Sequence, residues 1–68
     1  MSVEELEAQI RKLSMRSTQA KMNLHDLSEE LPVDWDKIPA VAEETFQVFK
    51  DLAEARKALK AARKAEEA

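Results

Sequence analysis

The chain has no cysteine and no glycine, only two prolines, and aromatic residues fill just 4% of its 68 positions. Each shortage excludes something. Without cysteine there are neither disulfides nor thiolate metal sites. Without glycine there is no phosphate-cradling loop, dinucleotide-binding turn or nucleophile elbow, all of which need its tight turns and close backbone approach. No apolar run approaches the ~20 residues that span a bilayer. The N-terminus is acidic at Glu4, Glu5 and Glu7 and lacks the apolar segment of a signal peptide, so a cytoplasmic protein is expected. One short domain is marginal without metals, disulfides or oligomerisation. Association is the remedy left.

Charged residues make up 37% of the chain and the net charge is −3. Such a balance, rich in Ala, Leu, Glu and Lys, belongs to long helices or coiled coil. It argues against nucleic acid as the main partner, since binders carry net basic charge or a strongly basic face.

Ser2 followed by Glu5 is a capping-box pattern that starts a helix. From there Val3, Leu6, Ile10, Leu13, Ser17, Ala20, Leu24, Leu27 and Leu31 alternate spacings of three and four, the a/d seam of a heptad. Pro32 ends the run by disfavouring helical geometry at the residue before it. The spacing predicts helix 1 over about 3–30 and a turn over 32–38, where Asp36 can cap and Pro39 suits a first helical turn. Helix 2, over about 39–65, repeats the alternation at Val41, Thr45, Val48, Leu52, Ala55, Leu59 and Ala62. Glu43 and Glu44 near its start and Arg63 and Lys64 near its end suit the helix dipole.

The expected fold is therefore all-α: an antiparallel two-helix hairpin, coiled-coil-like, that dimerises into a four-helix bundle. The expected oligomer core is Leu6, Ile10, Leu13, Leu24, Leu27 and Leu31 from helix 1, with Val41, Val48, Leu52 and Leu59 from helix 2. A dimer is the first choice, with a higher oligomer as the alternative.

Lys21-Met-Asn-Leu-His-Asp-Leu-Ser-Glu-Glu-Leu-Pro32, Trp35, Ile38-Pro-Ala-Val-Ala42 and Thr45-Phe46 together resemble a small Rop-like family of helical hairpins. The resemblance covers nearly the whole chain and is strongest over 19–52. It implies a setting among nitrogen-fixation genes, with a protein partner from that process, and supplies no reaction. Metal binding has been ascribed to some members, but no position of this sequence inherits it.

Several side chains are candidates for function. His25, the only histidine, falls at b when Leu24 is a, and Glu29 shares its face four residues on. The pair offers one nitrogen and one carboxylate oxygen to a divalent metal; the alternative is a solvated histidine. The Glu three residues before His that di-iron bundles use is absent, since Met22 stands there. Met15 and Met22, both at f, suit an adaptable partner surface, or are covered by a bundle wider than its seam. Trp35, Phe46 and Phe49 cluster near the turn, as a plug for the bundle end or, at Trp35, a partner hot spot.

Charge is bipolar. Arg11, Lys12, Arg16 and Lys21, with Arg56, Lys57, Lys60, Arg63 and Lys64, form a basic belt at the open half, while the turn half is acidic. The belt supports a rival reading, a Rop-type RNA-binding module, against which helix 1 has no aromatic to stack on a base. No nucleophile has a base in readable reach, and the seam's only polar members are Ser17 and Thr45. No enzyme is expected. The reading is a non-catalytic, oligomeric interaction or accessory protein, with a metal-binding accessory module using His25 as the other alternative.

Overall fold

The computed structural model describes residues 1–67, which form two long helices and a single helical turn: α1 over Val3–Glu30, a 3-10 turn over Trp35–Lys37, and α2 over Ile38–Glu67. The two helices pack along their length in a rod 54 Å long and 15 × 14 Å across. No helix of the described residues is long and apolar enough to cross a membrane.

α1 starts where expected. The Ser2 hydroxyl accepts from the Glu5 backbone N–H at 3.1 Å, satisfying one of the free donors of the first turn. Glu5 does not reach back to the Ser2 backbone as a full capping box would. Its carboxylate accepts instead from the Ser2 hydroxyl, at 3.1 Å.

The turn differs from expectation in one respect. Asp36 is not the cap of helix 2 but lies inside the 3-10 turn, which runs straight into a helix beginning at Ile38 instead of residue 39 and extending to 67 instead of 65. Lys37 N–H donates to the Asp34 carbonyl at 2.9 Å, and Ile38 N–H donates to the Trp35 carbonyl. Tightening to three residues per turn supplies partners that a side-chain cap would otherwise give. The reversal itself falls on Asp34, whose φ of 57° is left-handed, a conformation asparagine and aspartate tolerate best after glycine.

The seam read from the spacing is the contact between the two helices. Leu6, Leu13, Ser17 and Leu27 of α1 and Leu52 and Ala55 of α2 are buried, and Leu52 is only 3% exposed. Leu13, Leu52 and Ala55 form the compact centre, with Ile10 and Val48 packed on it. Val41 and Leu59 are half-buried. Seam polar groups are satisfied within their own helix: Ser17 Oγ donates to the Ser14 carbonyl at 2.8 Å, and Thr45 Oγ1 to that of Val41 at 2.8 Å. Leu24 and Leu31, expected in the same core, stay 37% and 40% exposed. One hairpin leaves them uncovered. The aromatic plug does not form within the chain either, since Trp35 and Phe46 are more than 60% exposed and Phe49 is 42% exposed.

Candidate association face

The register of the hairpin fixes which flanks of the two helices look the same way. Arg63 Nη2 lies 3.6 Å from Glu7 Oε1. Glu7 is at e in the α1 frame, and Arg63 is at e in an α2 frame with Leu52 and Leu59 at a. The e and b positions of both helices therefore border one side of the hairpin, and the c and g positions the other.

The two sides differ in chemistry. Gln19, Asn23, Gln47 and Asp51 occupy c and g, and two side-chain hydrogen bonds of 2.9 Å tie Gln19 to Asn23 and Gln47 to Asp51 along the helix surfaces. That side is polar and self-satisfied. On the other side, α2 carries a second ladder beside its seam, with the same alternation of four and three: Ala42, Phe46, Phe49, Ala53, Arg56, Lys60, Arg63. Its first half is apolar and its second half cationic. Met15 and Met22, at f of α1, lie at the shoulder of this side and are exposed at 75% and 54%. An open groove along the last turns of α2 is lined by Arg56, Leu59, Lys60, Arg63, Lys64 and Glu67.

The concentration of uncovered apolar groups is the feature that calls for a partner. Leu24, Leu31, Val33, Trp35, Ile38, Phe46 and Phe49 are all exposed, and all lie in the turn half. Exposed apolar groups gathered in one half of a small chain mark an interaction site or an aggregation hazard. Among the described residues no side chain is wholly buried. A single copy lacks a closed core.

The other sequence-predicted positions fall as follows. His25 Nε2 lies 3.3 Å from Glu29 Oε1, and Nδ1 lies 3.7 Å from Asp26 Oδ1, all on exposed side chains. The metal pair is thus brought together, as two donors on one helix face. Among the described residues no three potential ligands converge, so a metal there would draw its other ligands from water or a second chain. The basic belt lies toward the open half and the aromatics toward the turn, and they meet only at the belt's edge, where the register of Glu7 with Arg63 brings Lys21 level with Phe49. The e/b ladder of α2 was missed in the sequence, although its spacing was available: Ala42 and Ala53 carry little hydrophobic signal, and the stronger a/d ladder beside it absorbed the periodicity.

Comparison with known proteins agrees with this architecture. A family model described as Rop-like matches residues 1–64. A protein of Azorhizobium caulinodans named UPF0437 is 59% identical over 58 residues, covering 85% of this chain and 84% of that one. One from Frankia alni, named for its place in the nifX-nifW intergenic region, is 39% identical over 44 residues, covering 65% of this chain and 54% of that one. An NMR structure of a structural-genomics target superposes with a TM-score of 0.85 at 43% identity, covering 93% of this chain and 92% of that one.

Proposed function

The chain belongs to the Rop-like family, and from that premise we propose that it is a non-catalytic, cytoplasmic accessory protein of nitrogen fixation that works by association, first of all with a second copy of itself. The observation that carries this reading is the apolar face of the turn half. Phe46 and Phe49 project from α2 at b and e, outside the intrachain seam, with Trp35, Leu24 and Leu31 nearby and uncovered. Burying a side chain of that size stabilises by about 1.5–3 kcal/mol. Pairing two hairpins into four helices supplies that burial with no further component. The nitrogen-fixation setting is supported by the name of the Frankia alni relative, which places that protein between two nif genes.

Two measurements test the two halves of the reading. Sedimentation equilibrium should give a dimer at micromolar concentration, with a melting temperature that rises with protein concentration, because folding and association are then linked. A monomer whose melting is independent of concentration overturns the association. Deletion of the gene should slow growth on dinitrogen and leave growth on ammonium unchanged; equal growth on both removes the setting.

A further inference from the structure

The face just described has a centre of symmetry. The f positions of α2, which rim its e/b ladder, read Glu43, Lys50, Lys57, Lys64, and Asp36 of the 3-10 turn stands one heptad before them in sequence. Charge reverses about Lys50: Asp36 and Lys64 are equally distant from it, as are Glu43 and Lys57. Within the ladder, Phe46 and Ala53 straddle the same point to within half a residue, and Phe49 lies one residue from it. The ends depart from this pattern: Asp34 of the turn and Glu67 at the end of α2, equally far from Lys50 to within one residue, are both acidic.

A strip with this antisymmetry is complementary to its own reverse. We propose that α2 is a self-docking strip: two hairpins pack through their e/b sides, α2 antiparallel on α2, with the two-fold axis at Lys50. The proposal rests on the self-association argued above and assigns its face, direction and register. A two-fold contact repeats every pair. Phe46 then covers the partner's Ala53, large against small, and Ala53 is covered by the partner's Phe46. The rim sets Glu43 beside the partner's Lys57 and Asp36 beside the partner's Lys64. Lys50 meets its own copy, and toward the ends two like-charged pairs come level, Asp34 with the partner's Glu67 and Lys37 with the partner's Arg63, so the matched pairs lie in the central stretch of the strip. The same register carries the turn onto the open groove. Trp35, 67% exposed, comes level with the far end of that groove, where Arg63 and Lys64 of the partner subunit offer cations to an indole face.

Neither competing arrangement satisfies both chemistries. Parallel docking on the same side sets Arg56, Lys57, Lys60, Arg63 and Lys64 against their own copies. Docking through the c/g side would exploit another antisymmetric run, Lys12, Arg16 and Gln19 against Asn23, Asp26 and Glu30 of α1. It has no apolar member, and it would leave Phe46 and Phe49 in water.

The chain has no cysteine of its own, so single-cysteine variants report geometry cleanly. Under mild oxidation Lys50→Cys should form a disulfide-linked dimer, while Lys37→Cys and Gln19→Cys should stay unlinked. Efficient linking through residue 37 would mean that the turns lie together, and through residue 19 that the polar side docks; either overturns the proposal. Charge exchange is the independent arm. Lys57→Glu should weaken association about tenfold, and Glu43→Lys added to it should restore most of the loss. A dimer of unchanged strength in Lys57→Glu, or no restoration in the double variant, rejects this register while self-association stands. A wild-type monomer removes both.

Discussion

Ser17 and Ser14 close the only hydrogen bond made by a buried side chain of the α1 seam: the Ser17 hydroxyl donates to the Ser14 carbonyl at 2.8 Å. Thr18 Oγ1 donates to the same carbonyl at 3.0 Å. A hydroxyl satisfied within its own helix contributes nothing across the interface. Ser17→Ala should therefore change stability by less than about 1 kcal/mol in urea unfolding. Ser17→Leu should destabilise by about 1–3 kcal/mol, because overpacking a buried seam position forces its neighbours apart.

Leucines along one seam should respond differently to truncation. Leu52→Ala removes atoms from the best-buried site and should cost about 2–5 kcal/mol. Leu24→Ala and Met15→Ala should cost clearly less at concentrations where the chain is monomeric, since both side chains are exposed in one hairpin. A loss at Met15 equal to that at Leu52 would place Met15 in a core.

The left-handed turn gives a backbone test. At Asp34, with φ 57°, glycine fits without strain, and Asp34→Gly should leave stability unchanged or raise it slightly. Asp34→Val should cost about 1–2 kcal/mol, the penalty of a crowded Cβ in that region. The Lys37–Asp34 ion pair lost in both, at 3.6 Å and largely exposed, should matter little.

At the N-terminus, Ser2→Ala deletes the acceptor of the Glu5 N–H. A loss of about 1 kcal/mol is expected, and Ser2→Asp should retain most of the stability. Thermal unfolding of the three proteins at one concentration checks this; an Ala variant equal to wild type would mean that the first turn is frayed.

Both helices and their shared seam were legible in the sequence because spacing alone specifies them: Val3 through Leu27 and Val41 through Ala62 alternate three and four without interruption. The outward aromatics were not. Whether Phe46 and Phe49 plug an end or stand on an open face depends on which flank of α2 faces which flank of α1, and that shows only in contacts between distant positions, such as Glu7 with Arg63. The role of Asp36 was equally hidden. A capping residue and a residue inside a 3-10 turn have the same chemistry, and only the path of the backbone distinguishes them.

The tightest packing lies away from the turn. Leu13, Leu52 and Ala55 cluster toward the open half, while Leu27 is the only buried leucine near the reversal. This sets burial against loop closure during folding. Short loops close at the least entropic cost, so zippering from Asp34 would be the cheap route, but the layers met first hold little. The contacts that hold the helices together close a loop of most of the chain. The expected kinetic consequence is a barrier crossed at mid-length, with Leu52→Ala slowing folding and Val41→Ala mainly hastening unfolding. Chevron plots of the two variants would show the reverse if the turn leads.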